Sequence, residues 1–307
     1  MASVTDNKPR RSQAFKPDVI KTIEVTGEGA PLLEFVGAAL PEVKRTRLKQ
    51  LLAHNQIAVN GTPVRAFDHQ LNAADKVMVN FVREFKVFHH RRLRIVYEDE
   101  HLIVVEKGYG LLSMGTDKKS DGTAYSILKD YVKWHNPANK IFIVHRLDRD
   151  TSGLMVFAKS IEAKEKLQHN WNNMVLNRKY VAVVEGVVEP ASDTIRTYLA
   201  ENSRYEVYVT DNPQEGKLAV TRYNTLKAGR GYTLLEVELD TGRKNQIRVH
   251  LSSIGHPISG DRKYGASVSP IHRLALHAQT LRFVHPITRQ ELNFSTEVPR
   301  AFLSMTR

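Results

Sequence analysis

A dense cluster of charged and hydroxyl side chains follows a short apolar run near the middle of the chain. Residues 145–153 read His-Arg-Leu-Asp-Arg-Asp-Thr-Ser-Gly and come directly after the apolar run 141–144. Charged groups beside a buried strand are costly unless they are paired or functional. Asp148 lies between Arg146 and Arg149, and such neighbours favour an ionised carboxylate that is ready to act as a nucleophile.

Two other interpretations of this cluster stay open at the level of local chemistry. Asp-Thr-Ser-Gly is typical of a turn, and neighbouring aspartate and arginine residues commonly form structural ion pairs. Asp148 and Asp150 also have the spacing of an Asp-x-Asp metal pair, but no cluster of further ligands with suitable spacing accompanies them. The metal site is therefore the weaker interpretation.

The composition is that of a globular protein with an excess of basic residues. The chain has 307 residues, a length typical of roughly two domains. It carries 45 Lys and Arg against 33 Asp and Glu, a formal net charge of +12. Such an excess indicates a polyanionic partner, most simply a nucleic acid.

Several classes of protein are excluded or disfavoured by the composition. The chain contains no cysteine, which excludes disulfides, thiol catalysis and cysteine-bound metals. It has no apolar run of membrane-spanning length and no lipidation signal, so no membrane partner is expected. The N-terminus lacks the apolar core of a secretory signal, so we expect a cytoplasmic location. A monomer is the default expectation.

The first 80 residues predict a small binding module behind a basic tail. Residues 1–20 are polar and basic and predict a flexible tail, whereas 21–80 predict an α/β module with an Asn-Gly hairpin. Its helix at 43–52 has leucines on one face and basic residues elsewhere. We expect these basic residues to contact RNA phosphates, with an ordinary solvated face as the alternative. They are Lys44, Arg45, Arg47 and Lys49.

The order of elements in this module resembles the S4-like RNA-binding domain. The resemblance rests on the helix residues 46–52 and the turn residues 57–61. Residues 81–94 then form a basic linker with three interleaved phenylalanines. Such a segment suits RNA contact, and it suits packing on the next domain equally well.

Residues 95–307 predict a larger domain of class α+β. Helical segments at 123–134 and 160–175 fit between apolar β-type runs. Hairpin-like stretches after residue 178 favour a mainly antiparallel mixed sheet over a doubly wound parallel one. The β-type runs lie at 102–105, 141–144, 154–158, 180–184, 233–239 and 274–276.

Two further residues of this domain stand out beside Asp148. Tyr180 opens a strand, where its ring and hydroxyl face a pocket or pack half-buried on the sheet. Arg248 interrupts an apolar helical stretch that follows a turn at 241–246. Because an arginine is costly to bury without a carboxylate, Asp148 is its plausible partner.

Four motifs in order resemble RNA pseudouridine synthases of the RluA/RluD type. The resemblance spans roughly residues 95–300, and with the S4-like module it covers nearly the whole chain. It implies a pseudouridine synthase fold with flanking helices, and isomerisation of uridine in structured RNA without a cofactor or metal. The motifs are 145–153, 178–180, 242–250 and 273–278.

The resemblance also implies roles for five residues. Asp148 is the essential carboxylate, which attacks C1′, removes a ribose proton or attacks base carbon C6; one sequence leaves these routes open. Arg248 pairs with it, and Tyr180 lies against the flipped uracil and assists late proton removal from C5. Arg146 enters the space that the base vacates or binds its phosphate, and Leu276 forms an apolar wall of the uracil pocket.

The sequence departs from the family pattern in two places. A Lys-Pro-Ala-Gly-Leu segment is common in the family, whereas this chain reads Lys-Gly-Tyr-Gly-Leu at 107–111. The segment lies on the RNA-facing side in the family, so the change bears on the choice of target. Lys244-Asn245 replaces a frequent Thr-His pair, a change that we expect to be tolerated. Large-subunit ribosomal RNA is the expected target, and transfer RNA is the alternative.

Two rival functions remain at the level of sequence. A non-catalytic RNA-binding or ribosome-assembly factor explains the charge and the first module, but not the presence of Asp148, Tyr180 and Arg248 together. Another carboxylate enzyme acting on nucleosides, such as a glycosidase, needs a second carboxylate at working distance. Asp150 is the only nearby candidate.

Overall fold

The computed structural model describes residues 20–27, 29–85, 88–115 and 121–307. The chain divides into two compact units, 1–87 and 88–307. This division falls inside 81–94, the segment that the sequence predicts as a linker. The predicted tail lies outside the described residues except for Ile20, and the limits of the predicted domains stay predictions.

The first unit is a small α/β module. Its described strands form an antiparallel sheet in the order β1-β4-β2-β3. Asn60 and Gly61 both have positive φ, 49° and 80°, as a tight hairpin turn requires. The elements are β1 Ile20–Glu24, α1 Leu32–Ala39, α2 Arg45–Ala53, β2 Ile57–Val59, β3 Thr62–Pro63 and β4 Lys76–Asn80.

Helix α2 is amphipathic and forms as the sequence predicts. Leu48, Leu51 and Leu52 are buried against α1 and the sheet, because leucines three or four residues apart share one helix face. The basic side chains of the same helix are exposed. The module is therefore the α/β unit that the sequence predicts, and its S4-like character stays a prediction.

The second unit is built on one large sheet. Within the described part of residues 88–307, nine strands run in the order β11-β10-β12-β13-β9-β14-β8-β6-β5, with β15 on β14 and β7 on β8. The strands are β5 Leu93–Glu98, β6 Leu102–Lys107, β7 Phe142–Ile143, β8 Ser152–Ala158, β9 Val175–Glu185, β10 Ser192–Glu201, β11 Val207–Thr210, β12 Lys217–Gly229, β13 Tyr232–Leu239, β14 Leu276–Val284 and β15 Glu291–Ser295.

Helices flank this sheet, and apolar cores lie where helices and strands pack together. Helix α3 packs on β6 and β8, whereas α6 and α7 pack on the β9–β13–β14 region. The helices are α3 Ala124–His135, α4 Ile161–His169, α5 Trp171–Met174, α6 Gln246–Ser253, a 3₁₀ turn Arg262–Tyr264 and α7 Arg300–Met305. The predicted α+β class with flanking helices is confirmed.

The sheet has two sections that meet at β8 and β14. These two strands pair in parallel, whereas the other strand pairs within the described residues are antiparallel. The parallel contact is short, with His277 opposite Ser152 and Ala278 opposite Gly153. Gly153 has φ +117°, and a Cβ there would lie 2.2 Å from the Ala278 carbonyl oxygen, so only glycine fits.

Several elements differ from the sequence prediction. The β-type runs predicted from the sequence include none of the strands β5, β10, β11, β12 and β15. In β10 and β12, polar residues interrupt the apolar ones, so neither strand forms a continuous apolar run. The predicted helix 160–175 is two helices, with a break at Asn170. The apolar run 141–144 contains only the two-residue strand β7.

Candidate active site

Asp148 lies on the loop that joins β7 to β8. The loop is fixed on one side by Ser113, which is buried and donates from Oγ to the Leu147 carbonyl at 2.6 Å. The same oxygen accepts from the Leu147 N–H at 3.1 Å. The Asp148 side chain is 26% exposed. The loop therefore holds the carboxylate in place and leaves it accessible to solvent.

Lys107 fixes the loop on its other side. Its Nζ donates to the carbonyls of Gly108, Leu111 and Arg149, at 2.9–3.1 Å. Burial lowers the pKa of Lys107 to about 7, although the charges of Asp150 and Asp148 act in the opposite direction. Sequence reasoning assigned no role to Lys107 or Ser113, because neither side chain stands in a charged cluster.

Arg248 joins two carboxylates. Its Nε and Nη2 donate to the two oxygens of Asp261, at 2.7 and 2.8 Å. Its Nη1 donates to Asp148 Oδ2 at 3.2 Å and to Asn245 Oδ1 at 3.2 Å. Asn245 precedes α6 in the left-handed conformation, φ 53°, and thereby sets where the helix begins. The Tyr264 ring also lies against the guanidinium.

The electrostatics of this cluster favour a charged guanidinium. Burial lowers the pKa of Arg248, but the hydrogen bonds and charges of Asp261 and Asp148 outweigh burial and raise the pKa above its ordinary value. Asp261 is 2% exposed and makes the bidentate pair. Sequence reasoning assigned no role to Asp261, so this partner was missed.

The five predicted site residues line one small cavity. It has a volume of about 70 Å³. Tyr180 comes from β9 and Leu276 from the start of β14, so strands that are adjacent in the sheet supply the wall. Burial raises the pKa of Tyr180, so its phenol is protonated at neutral pH. The predicted residues in the lining are Arg146, Asp148, Tyr180, Arg248 and Leu276.

The two neighbouring aspartates bind different arginines. Asp148 accepts from Arg248, whereas Asp150 pairs with Arg149 at 3.3 Å. Across the described ranges of the chain, no group of three or more His, Cys, Asp or Glu side chains is placed to hold a metal ion. The site is therefore a carboxylate paired with an arginine in the lining of a small cavity.

Comparison with known proteins identifies the family. The sequence model of the RNA pseudouridylate synthase family matches residues 101–253. Ribosomal large subunit pseudouridine synthase D of Pseudomonas aeruginosa is 34% identical over 295 residues, covering 90% of this chain and 91% of the relative. An uncharacterised RNA pseudouridine synthase of Bacillus subtilis is 33% identical over 274 residues, covering 87% and 89%. The chain belongs to the RNA pseudouridine synthases.

Solved structures agree with this assignment. Human RNA pseudouridylate synthase domain containing 4 matches with a TM-score of 0.58 and 26% identity, over 69% of this synthase and 91% of that chain. Human RNA pseudouridylate synthase domain containing 1 matches with a TM-score of 0.55 and 24% identity. The match covers 69% of this synthase and 86% of that chain, and it supports the fold. The RluA/RluD-type resemblance, the fold and the prediction of an isomerase acting on RNA are confirmed.

The segment that departs from the family pattern has its own backbone contact. The Gly108 N–H donates to the Arg92 carbonyl at 2.7 Å, a bond that proline cannot form because it lacks the N–H. Arg92 Nη1 also donates to the Gly110 carbonyl at 3.4 Å. The segment thus pairs with the residues just before β5, and Tyr109 projects from it with 49% of its surface exposed.

The predicted RNA-binding residues are Lys44, which directly precedes α2, and three basic residues of α2 itself. Lys44, Arg45, Arg47 and Lys49 are all exposed. Arg47 makes weak contacts at 3.4 Å with Gln50 and the Phe81 carbonyl. Their role in RNA binding stays a prediction. Among the described helices, none is long and apolar enough to span a membrane.

Proposed function

We propose that this synthase isomerises uridines of large-subunit ribosomal RNA and that Asp148 is the reacting carboxylate. Relatives named ribosomal large subunit pseudouridine synthase D, from P. aeruginosa, Vibrio cholerae and Escherichia coli, are 30–34% identical and cover 90–95% of the chain. The observation that carries the site assignment is the 3.2 Å hydrogen bond from Arg248 to Asp148 at the mouth of the cavity.

The reaction exchanges one glycosidic bond for another. The N1–C1′ bond breaks, the uracil rotates and a C5–C1′ bond forms, after which C5 loses a proton and N1 gains one. Nothing is oxidised or reduced, so the chemistry requires no redox cofactor. A carboxylate beneath the ribose either attacks C1′ or removes a ribose proton to assist loss of the uracil. Both routes need the oxygens of Asp148 aimed at the ribose.

Each of the five predicted residues in the lining has a role in this proposal. Arg248 fixes one oxygen of Asp148 and leaves the other available to the substrate. Tyr180 and Leu276 hold the flipped uracil between a ring and an apolar side chain. The raised pKa of Tyr180 favours a contact role over a role as the base, because a base at neutral pH would have to be the phenolate. Arg146 is exposed and reaches the space vacated by the base or its phosphate.

The test is a pseudouridine map of total RNA from cells with and without the gene, made by carbodiimide labelling and reverse-transcriptase stops. We expect stops at a few large-subunit uridines to disappear and to return with the wild-type gene. Asp148→Asn should not restore them, since the amide can neither attack nor accept a proton; purified variant should lose roughly 10³-fold or more in turnover.

The matched control is Asp130→Asn, the same change on the exposed face of α3. It should restore every stop. Stops lost only from transfer RNA would replace the proposed target and keep the chemistry. Restoration by Asp148→Asn would contradict the role of Asp148, and no lost stop would contradict the proposed ribosomal target.

A further inference from the structure

Three depressions in the second unit form a continuous path. Arg248 lines both the Asp148 cavity and a neighbouring depression of about 540 Å³, here called the proximal cleft. Tyr109 and Arg273 line both the proximal cleft and a third depression of about 670 Å³, here called the distal cleft. These shared residues place Tyr109 and Arg273 on the ridge between the two clefts.

Both clefts are basic. Arginine and lysine outnumber aspartate and glutamate by five to two around the proximal cleft and by six to two around the distal cleft. Three of the four acidic side chains in the two linings are paired with arginines. The pairs are Asp261 with Arg248, Asp150 with Arg149, and Glu106 with Arg94. Such a surface attracts a polyanion, and a phosphate backbone that follows it would pass over the ridge.

Tyr109 is held on the ridge by Arg273. The Arg273 guanidinium carbon lies 4.6 Å from the centre of the Tyr109 ring and 5.2 Å from that of Phe302. Within the described residues, the hydrogen bonds of Arg273 go to Ser152 Oγ at 2.7 Å and to two backbone carbonyls, not to a carboxylate. Its charge is therefore not cancelled by an ion pair.

A hydrogen-bond relay fixes Arg273 in turn. Ser152 Oγ accepts from Arg273 and is hydrogen-bonded to His277 Nδ1 at 2.8 Å, and His277 Nε2 is hydrogen-bonded to Thr296 Oγ1 at 2.8 Å. Burial lowers the pKa of His277 to about 4, so at neutral pH the ring is uncharged, and one of its nitrogens donates while the other accepts. Ser152 and His277 are buried and paired at the β8–β14 contact, so the arginine that contacts Tyr109 is itself bound to the sheet.

The backbone around Tyr109 is fixed as well. Gly108 donates to the Arg92 carbonyl on one side, and Gly110 has φ +74° and accepts from Arg92 on the other. A side chain at Gly108 would approach the Arg92 backbone at 3.2 Å. The Tyr109 ring is thus exposed, contacts the Arg273 guanidinium, and belongs to a segment whose backbone is bonded to Arg92. A surface on which a base stacks requires such an exposed and fixed ring.

We propose that Tyr109 is a stacking platform for an unpaired RNA base adjacent to the target uridine. The phosphates on either side of that base lie in the proximal and distal clefts. The proposal rests on the Asp148 cavity being the place where the uridine binds, and it holds for any RNA target. It requires that the substrate be single-stranded at the neighbouring nucleotide, which also lowers the cost of flipping the uridine.

The experiment uses the full chain and a short oligouridine that carries one 2-aminopurine. Binding to wild type should quench 2-aminopurine, because stacking on an aromatic ring quenches this base. Tyr109→Ala should weaken binding by about 10-fold and abolish the quenching. Tyr109→Phe, the matched control, should keep both affinity and quenching, since stacking needs the ring and not the hydroxyl.

The dependence of affinity on salt separates stacking from charge. The slope should be the same for wild type and Tyr109→Ala, because tyrosine neutralises no phosphate. Wild-type affinity or quenching in Tyr109→Ala, loss of both in Tyr109→Phe, or a changed salt slope would each overturn the proposal. The assay measures no turnover, so a negative result here is distinct from failure of the ribosomal target or of the role of Asp148.

Discussion

Arg248 serves two carboxylates that differ in exposure. Asp261 is buried and occupies the Nε edge of the guanidinium, which leaves Nη1 for the more exposed Asp148. The bidentate pair with Asp261 fixes the plane of the guanidinium, and this plane sets the direction in which Asp148 is held. Asp261 is thus a positioning residue: it does not line the cavity but determines its geometry.

Asp261→Asn should reduce turnover more than it reduces RNA affinity. With one carboxylate lost, the guanidinium can rotate toward Asp148, and a misplaced carboxylate can cost about 10²-fold in turnover. The buried cation would lose its main partner, at about 3 kcal/mol of unfolding free energy. Single-turnover kinetics, RNA binding and urea unfolding measure the three quantities.

The matched control for this charge removal is Glu291→Gln. Glu291 pairs with Arg282 at 2.6 Å, but both side chains are nearly half exposed. Both turnover and stability should stay close to wild type, because exposed ion pairs contribute little. An Asp261→Asn protein with lowered stability and unchanged turnover would show that Asp261 has only a structural role.

At the scale of elements, the β8–β14 contact joins the two sections of the sheet. Ser152 and Gly153 directly follow the loop of Asp148, and the paired residues His277 and Ala278 directly follow Leu276. The contact thereby fixes the distance between the carboxylate and the wall of the cavity. The close approach of the two backbones depends on the missing side chain of Gly153.

Gly153→Ala should therefore destabilise the protein strongly. The new Cβ would meet the Ala278 carbonyl at 2.2 Å, and φ +117° is itself unfavourable for alanine. We expect a loss of more than about 3 kcal/mol in urea unfolding.

Gly231→Ala is the matched control, in the hairpin between β12 and β13. It has φ +76° but nothing within 4 Å of the position of a Cβ. It should cost only about 1 kcal/mol, which isolates the effect of the backbone conformation. Equal losses in the two variants would mean that the close approach at Gly153 contributes nothing.

The elements that sequence predicts well are those with a single clear signal. The Asn-Gly hairpin, the amphipathic helix α2 and the apolar strand β8 all form at the predicted places. Strands β10 and β12 are different, because one face is polar and the apolar residues are spread along the chain. Their pairing depends on neighbours distant in sequence, which local patterns do not reveal.

Some contacts of the candidate site could likewise be predicted from the sequence, whereas others could not. The pairing of Asp148 with Arg248 follows from the cost of burying an unpaired arginine, and the structure brings the two together at 3.2 Å. Asp261 could have been suspected for the same reason, since a buried arginine commonly needs more than one acceptor. Ser113 and Lys107 act through backbone carbonyls of a distant loop, and nothing in the sequence marks such contacts.

At the scale of the whole molecule, the net charge of +12 predicts strongly salt-dependent RNA binding. Arg45 and Lys49 are one turn apart on α2, and both are exposed. Replacing both with glutamine should reduce the steepness of the slope of log affinity against log salt by about 1.4, at about 0.7 for each lost phosphate contact. Filter binding at several salt concentrations measures it.

The matched control is Lys129→Gln with Lys133→Gln, a pair with the same spacing on the exposed face of α3. These residues lie outside the predicted RNA-binding surface, so the slope should stay at the wild-type value. If both double variants lower the slope equally, the charge acts through the whole surface and α2 has no special role.

Asp148 and Arg248, which pair at the candidate site, are 100 positions apart in the chain. Leu276, which closes the cavity, comes later still, at the start of β14. Contacts between such distant positions form late, after the loops between them have closed. During synthesis, the first three quarters of the polypeptide can therefore leave the ribosome and form helices and hairpins before Arg248 is available to pair with Asp148. A message that ends early yields a protein that has no assembled cavity with which to modify RNA.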